Sequence, residues 1–188
     1  MNPRAQFPLA QRLRRGETTL GEVFTFLSGL YFRGKMAYAP RFARPPRGVG
    51  GVWVSTTNRG LMEADTPIDL PMLESFGQVG IDEGEPAYVL PLTSTAQALR
   101  KRLGKSGEVV LLGSIATGKY VDILQAVYGG KLLFPADFIG RGDMSRGGLM
   151  LRRAASGEEL DYLPVEGAVR RGRRPPKLGS QAAELPRP

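Results

Sequence analysis

The sequence has 188 residues, of which 26 are Lys or Arg and 18 are Asp or Glu, and it contains neither cysteine nor histidine. Without thiols or imidazoles, the chain has no disulfides, no Cys/His zinc site, no cysteine nucleophile and no Ser-His-Asp triad. Any chemistry must therefore rest on carboxylates, Lys, Arg, Tyr and hydroxyl groups, and any metal would be an oxygen-bound ion such as Mg²⁺.

The length and a hydrophobic content of 41% favour a single compact domain. The longest apolar stretch, residues 23–32, is about half of the roughly 20 residues that a membrane-spanning helix needs. The first ten residues lack the apolar segment of a secretion signal. We therefore expect a cytoplasmic protein that has no membrane partner.

The net charge of +8 belongs to the two ends of the chain. Residues 1–47 carry +7, residues 48–166 carry −4 and residues 167–188 carry +5. The basic clusters at residues 12–15 and 170–174 predict either solvated tails or contacts with the phosphates of a nucleic acid.

These shifts in composition divide the chain into three parts. We predict a basic N-terminal arm over residues 1–17, an α/β domain over residues 18–166 and an Arg/Pro-rich tail over residues 167–188. The tail should be disordered because its Arg, Pro and Gly content cannot form a packed core.

Local signals predict the elements in the first half of the domain. Thr19 and Glu22 have capping-box spacing, so a buried helix should begin there and continue to about Arg33. The elements predicted next, in chain order, are a Pro/Gly-rich connector over residues 39–51, a strand over 52–56, a turn at 58–60 and a short helix over 70–76. Asn58 and Arg59 of the turn are further candidates for a ligand site.

The middle of the domain contains an acidic segment, residues 82–85, between two predicted short strands over 78–81 and 87–90. The acidic segment is either a solvent-facing turn or a metal site. Ser94 and Gln97 predict a second capping box and a helix that ends at Gly104. This helix has a basic face formed by Arg100, Lys101, Arg102 and Lys105.

The second half of the domain predicts a parallel strand–helix–strand unit followed by a hairpin. The unit consists of a buried strand over residues 108–112, a helix that ends at Gly129, and a strand over 131–134. Residues 148–153 and 159–164 are the two predicted strands of the hairpin. The fold class is therefore α/β, with a mixed, mostly parallel sheet, flanking helices and a C-terminal β-hairpin.

The connection between the first strand and the helix of this unit has the spacing of a phosphate-binding loop, two glycines separated by four residues and followed by lysine. Backbone amides and the positive end of the helix would meet a phosphate there. Tyr120 stands where such loops have a Ser or Thr that binds Mg²⁺. An ordinary strand-to-helix turn is the alternative. The predicted ligand residues are Gly113, Ser114, Thr117, Gly118 and Lys119.

A second segment, residues 29–35, has the same spacing of two glycines and a lysine. It follows no strand and lies within a predicted helix, so we interpret it as a chance match.

The segment that contains the first loop also resembles the phosphate loop of phosphoribosyltransferases. In that family an apolar strand leads through two acidic residues to a Thr-Gly turn ahead of a helix. Residues 109–112 and 116–118 match this pattern, whereas Gly113 and Ser114 occupy the positions of the acidic residues. The resemblance implies a site for a terminal phosphate and no acidic contact to ribose or metal.

Residues 137–147 form a second Gly-rich segment, at the carboxyl end of the next predicted strand, where open α/β sheets bind ligands. Arg141, Ser145 and Arg146 are predicted phosphate contacts. Asp137 or Asp143 would serve as general base or metal ligand in a protein without histidine. The alternative is a solvated loop with internal Arg–Asp pairs.

These patterns support three functions. The first is the binding of a phosphate-bearing small molecule, a nucleotide or sugar phosphate, with transfer or hydrolysis and Mg²⁺ as compatible chemistry. The second is a nucleic-acid-binding accessory protein that uses its basic termini. The third is a structural or interaction domain without a ligand.

Overall fold

The computed structural model describes residues 5–170, 172 and 175–176. Within these residues the chain forms seven α-helices and seven short strands. The helices are α1 (Pro8–Arg14), α2 (Leu20–Leu27), α3 (Leu30–Phe42), α4 (Leu70–Phe76), α5 (Pro86–Leu103), α6 (Gly118–Tyr128) and α7 (Asp143–Ser156). The strands are β1 (Thr18–Thr19), β2 (Trp53–Ser55), β3 (Leu61–Glu63), β4 (Pro67–Ile68), β5 (Val109–Val110), β6 (Leu132–Pro135) and β7 (Tyr162–Pro164). Two single-turn 3₁₀ helices, Gly129–Lys131 and Ala136–Phe138, flank β6.

The described strands form three small sheets. β1 pairs with β4 and β2 pairs with β3, both antiparallel, whereas β5, β6 and β7 form a three-stranded sheet in that order. β5 and β6 are parallel, and β6 and β7 are antiparallel. The predicted mixture of helices and strands is confirmed, but parallel pairing among the described strands is confined to β5 and β6.

The predicted strand–helix–strand unit is present as β5, α6 and β6, but β5 covers only two of the five residues predicted for the buried first strand, and both are half-buried. Val109 pairs with Leu132 and Val110 with Leu133 in parallel register. Gly129 ends α6 with a positive φ of 56°, a conformation that favours glycine. Side chains from α6 and β6 lie in the larger of two hydrophobic core clusters, together with side chains from α5 and α7.

α7 forms where the sequence predicts the first strand of the C-terminal hairpin. Residues 148–153 are helical, and the second predicted strand forms only as β7, paired with β6. The hairpin prediction is therefore wrong, and the reason is packing against α3. A Cβ on Gly34 would lie 2.6 Å from the Gly147 carbonyl oxygen, so the backbones of α3 and α7 are in direct contact. Glycines that weaken a helix in isolation allow this close crossing.

α5 begins at Pro86, well before the predicted start at Ser94. Residues 87–90 are helical and residues 78–81 form no strand, so both predicted strands are wrong. Pro86 occupies the first helical turn, where proline is favoured, and the Glu85 side chain caps that turn. The predicted end at Gly104 is confirmed. The buried face of α5 has helical spacing and consists of Tyr88, Leu92, Ala96 and Leu99.

The single helix predicted from Thr19 to Arg33 is two helices, α2 and α3. The capping box is confirmed: the Thr19 amide donates to Glu22 Oε2 at 2.9 Å, and the Glu22 amide donates to Thr19 Oγ1 at 3.3 Å. α3 continues to Phe42 with Pro40 inside it. The predicted connector over residues 39–51 is therefore wrong in its first four positions, whereas β2, α4 and the turn at residues 58–60 lie at their predicted positions.

The two ends of the chain differ in what the structure describes. Within the predicted N-terminal arm, residues 8–14 form α1, and Leu13 is buried in the second core cluster beside Leu20 and Val23. Most of the predicted tail, residues 167–188, lies outside the described residues. Among the residues that are described, no helix is long and apolar enough to cross a bilayer.

Candidate functional site

The first half of the predicted phosphate loop is covered by Tyr120. The Tyr120 hydroxyl donates to the Ser114 carbonyl oxygen at 2.8 Å, and a Cβ on Gly113 would lie 2.9 Å from the same hydroxyl. The residue that departs from the phosphate-loop pattern thus folds back over the loop. Glycine at position 113 is explained by the space that this aromatic ring needs.

The second half of the loop faces carboxylates. Thr117 caps α6 without a side-chain hydrogen bond, and Lys119 is exposed. A Cβ on Gly118 would collide with the Asp122 carboxylate and lie 3.4 Å from Glu83 Oε2. These negative side chains complement the positive end of α6, and Asp122 Oδ1 also accepts a hydrogen bond from Arg170 Nη2 at 2.6 Å.

The second Gly-rich segment, residues 137–147, has more regular structure than a connector. It consists of the 3₁₀ turn Ala136–Phe138, a short link and the first turn of α7. Gly142 is the N-cap of α7 and has no side chain to accept from the first-turn amides. Arg141 lies beside this turn, where its Nε donates to the Asp137 carbonyl oxygen at 2.8 Å and its Nη1 to Ser145 Oγ at 3.4 Å.

Arg146 is a buried cation, with only 8% of its surface exposed. Its Nε and Nη2 donate to the Phe138 carbonyl oxygen at 3.2 and 3.1 Å, and its Nη1 lies 3.4 Å from Asp143 Oδ1. The guanidinium carbon lies 5.6 Å from the centre of the Phe138 ring. Arg146 therefore joins the 3₁₀ turn to α7, while the Asp143 side chain is 68% exposed.

α3 contributes two residues to this region that the sequence patterns do not mark as site residues. Lys35 Nζ lies 4.1 Å from the centre of the Tyr31 ring, and the Arg146 guanidinium carbon lies 5.9 Å from the same centre. Lys35 is half-buried and makes no hydrogen bond or ion pair with any described residue. Burial lowers its pKa, Asp143 partly offsets this shift, and Arg146, which has the smallest of the three effects, lowers the pKa further.

Two tyrosine hydroxyls lie in the same region. The Tyr31 hydroxyl is buried and has no hydrogen-bond partner among the described residues. Burial raises the pKa of Tyr31, and the positive charge of Arg146 lowers it only in part. Burial likewise raises the pKa of Tyr120, which interacts electrostatically with Arg146 and Asp143. Tyr120 thus connects Ser114 of the first loop to the first turns of α7.

The structure therefore divides the predicted site residues into two groups. Asp137, Arg141, Asp143, Ser145 and Arg146 lie together around the start of α7, and Gly113 and Ser114 approach them through Tyr120. Thr117, Gly118 and Lys119 lie at the carboxylate-rich end of α6.

Tyr31 and Lys35 belong to residues 29–35, the segment whose spacing we interpret as a chance match. It is not a phosphate loop, since Gly29 is only the N-cap of α3. Its sequence nevertheless carries a signal: Tyr31 and Lys35 have the i, i+4 spacing of one helical face, beside a small residue at position 34.

Other candidates from the sequence have structural partners or are exposed. The Asn58 side-chain amide donates to the Ser75 carbonyl oxygen at 2.8 Å, so it ties the β2–β3 turn to α4. Residues 82–85 are largely exposed, and no group of three or more possible metal-ligating side chains occurs among the described residues.

Several arginines of the basic clusters are engaged within the protein. On α5, Arg102 donates to the Gly48 carbonyl oxygen at 2.7 Å and stacks near Trp53. In the N-terminal cluster, Arg12 pairs with Glu22 at 3.1 Å and Arg15 with Glu17 at 2.9 Å. These contacts reduce the positive charge that is available to a nucleic acid.

Comparisons of the chain with family models, curated proteins and solved structures found no match.

Proposed function

We propose that the protein binds a phosphate-bearing small molecule, a nucleotide or a sugar phosphate, at the first turn of α7. The phosphate would be held by the first-turn amides and by Arg141, Ser145 and Arg146, with Lys35 of α3 beside them; we call this set the α7 site. The observation that carries the proposal is the charge balance. Arg141 and Arg146 lie around one helix N-terminus with Lys35 beside them. Two carboxylates lie in the same region, Asp137 and Asp143, and of these two only Asp143 makes an ion pair with a described residue.

The backbone of α7 supports the same ligand. A helix N-terminus presents free amides and a positive dipole, which together favour phosphate. The N-cap residue, Gly142, leaves those amides accessible because it has no side chain. Arg141 is half-buried and already directed to Ser145 Oγ, so both side chains can contact one phosphate in a fork geometry.

The first predicted loop would contribute less. Gly113 and Ser114 approach the α7 site beneath Tyr120, whereas Thr117, Gly118 and Lys119 lie near Glu83 and Asp122. The alternative location for the phosphate is the first loop, at Lys119. Substitution of Lys119 distinguishes this location from the α7 site.

The carboxylates suit the chemistry of a bound phosphate compound. Asp143 is exposed in the first turn of α7, and Asp137 is exposed on the preceding 3₁₀ turn. In a chain without histidine, either carboxylate would act as a general base or share an Mg²⁺ ion with the phosphate. Transfer or hydrolysis of the bound compound is the reaction class that these groups support.

A thermal-shift series tests the proposal. Inorganic phosphate, nucleotides and sugar phosphates are added with and without Mg²⁺, against sodium chloride at the same ionic strength. A ligand present at about 100 times its Kd stabilises the folded state by about 2.7 kcal/mol. Arg141→Gln, which removes a half-buried cation of the α7 site, should abolish this stabilisation. The matched variant Lys119→Gln, which removes one exposed cation of the first loop, should retain it.

The opposite pattern places the ligand at the first loop: stabilisation that is lost in Lys119→Gln and kept in Arg141→Gln. If no phosphate compound stabilises the wild-type protein beyond the sodium chloride control, the proposed function is wrong.

A further inference from the structure

Lys35 is the least ordinary cation of the α7 site. Its ammonium group lies against the Tyr31 and Phe32 rings, at 4.1 and 5.9 Å from their centres, and has no hydrogen-bond acceptor among the described residues. A half-buried ammonium that lacks an acceptor has lost hydration that the contact with the Tyr31 ring replaces only in part. This environment favours the neutral amine, which is the nucleophilic form of lysine.

Burial has the largest influence on Lys35 and lowers its pKa. The two charged groups that face Lys35 from α7 oppose each other: Asp143 raises this pKa, and Arg146, whose effect is smaller, lowers it. Tyr31, one turn earlier on α3, is held neutral by burial, which raises its pKa. Desolvation is therefore the cause that favours the neutral amine, and desolvated lysines serve as nucleophiles in covalent catalysis.

We propose that Lys35 forms an imine with the carbonyl carbon of a phosphate-bearing aldehyde or ketone whose phosphate is bound at the α7 site. This inference rests on the proposed function and names the substrate class within it. A carbonyl compound is indicated because the site combines an anion-binding helix end with a neutral amine, and a phosphate alone would need only the first of these.

The step balances without a further reagent. The neutral amine of Lys35 attacks the carbonyl carbon, and a proton moves from nitrogen to the former carbonyl oxygen, which gives a carbinolamine. The Tyr31 hydroxyl, which burial keeps protonated, then donates a proton to the carbinolamine hydroxyl, which leaves as water while the carbon–nitrogen double bond forms. The nitrogen releases its remaining proton to the Tyr31 oxygen, which restores the tyrosine hydroxyl and leaves the neutral imine. The net change is amine plus carbonyl to imine plus water.

The chain provides internal controls for this reactivity. Lys101 is exposed on α5, Lys105 is exposed just beyond the end of α5, and Lys131 is paired with Glu108 at 3.2 Å. None of these three has the desolvated position between an aromatic ring and a second cation. If Lys35 reacts and these lysines do not, its reactivity is due to its local environment and is not a general property of lysine side chains.

Reductive trapping on the full-length protein tests the proposal. Glyceraldehyde 3-phosphate is the probe, glyceraldehyde is the matched compound without phosphate, and sodium cyanoborohydride reduces any imine to a stable amine. The adduct, located by digestion and mass spectrometry, adds the mass of the aldehyde less one oxygen atom. Labelling of Lys35 should exceed that of Lys101 and Lys105 at least about tenfold with the phosphate compound. With glyceraldehyde it should fall to the level of those two lysines.

A parallel thermal shift with inorganic phosphate separates the two proposals. If phosphate stabilises the protein but Lys35 is labelled no more than the other lysines, the imine is wrong and the α7 site stands. Equal labelling of Lys35 by both aldehydes also overturns the inference, because the phosphate then contributes nothing. If neither stabilisation nor selective labelling occurs, both proposals fail.

Discussion

Residues 29–35 and 113–119 have the same spacing of two glycines and a lysine, yet they lie in different surroundings. In residues 113–119, which follow a strand as a phosphate loop requires, Tyr120 covers the first glycine and carboxylates face the second. In residues 29–35, which begin a helix, the second glycine lies against the α7 backbone and the lysine is half-buried beside Arg146.

This difference shows that the same spacing of glycines and lysine does not by itself indicate a phosphate loop. A phosphate loop works because its glycines leave amides free and its lysine reaches the ligand. In residues 113–119 the glycines instead provide room for side chains, and Lys119 is exposed. In residues 29–35, Gly34 allows α7 to approach until Lys35 and Arg146 interact. The glycines of both segments serve packing, and only the second segment brings its lysine to the candidate site.

The largest expected effect comes from Gly34→Ala. The added Cβ would lie 2.6 Å from the carbonyl oxygen of Gly147 and 2.9 Å from its Cα, and neither backbone atom can move unless the helices separate. We expect a loss of about 3 kcal/mol in the free energy of unfolding, measured by urea denaturation. Separation of α3 from α7 should also weaken phosphate-dependent stabilisation.

Gly148→Ala is the matched control, one residue along α7 from the contact. A Cβ at position 148 would have no neighbouring atom within 4 Å. Alanine is a better helix former than glycine, so this variant should gain about 0.5–1 kcal/mol. Equal losses in Gly34→Ala and Gly148→Ala would show that α3 and α7 do not cross at these glycines.

The same crossing explains which parts of the fold are predictable from the sequence. α4, α6 and the capping box at Thr19 depend on local signals, such as a capping side chain, helical spacing of apolar residues or a glycine at the end. The identity of residues 148–153 depends on a partner more than 100 positions away in the chain, and a short apolar run is compatible with helix or strand until that partner is known.

The candidate site follows the same rule. Arg141, Asp143, Ser145 and Arg146 are close in sequence, so their grouping is predictable from a Gly-rich segment of alternating charge. Lys35 and Tyr31 reach them only through the contact between α3 and α7. Two small residues that meet across a helix pair are visible in a sequence only when one already knows which helices pair.

Removal of the Tyr120 or the Tyr31 hydroxyl should have an intermediate effect on the free energy of unfolding, and the two effects compare the two segments. Tyr120→Phe removes a hydrogen bond to the Ser114 carbonyl oxygen and should cost about 1 kcal/mol in the free energy of unfolding. Tyr31→Phe removes a buried hydroxyl without a partner among the described residues, so it should be neutral or stabilise the protein by up to about 1 kcal/mol. Chemical denaturation measures both. A loss in Tyr31→Phe as large as that in Tyr120→Phe would contradict the contrast.

The smallest expected effect, that of Lys35→Met, depends on pH. Because the pKa of Lys35 is lowered in the folded state, the unfolded chain binds more protons between that pKa and the ordinary lysine value of 10.5. The wild-type free energy of unfolding should therefore rise with pH across this window, relative to that of Lys35→Met, which has no such group. At neutral pH the variant should be as stable as the wild type or more stable by up to about 1 kcal/mol, because the loss of the cation–π contact opposes the relief of burial.

The control for this pH dependence is Lys105→Met, which removes a lysine at an exposed position just beyond α5. Tyr31, Asp143 and Arg146 also face Lys35, but they are present in both the wild type and Lys35→Met, so their contributions to stability largely cancel in the difference. If the stability difference between wild type and Lys35→Met changes with pH no more than the difference for Lys105→Met, Lys35 is as well solvated as Lys105. Residues 29–35 and 113–119 would then differ only in their backbone packing.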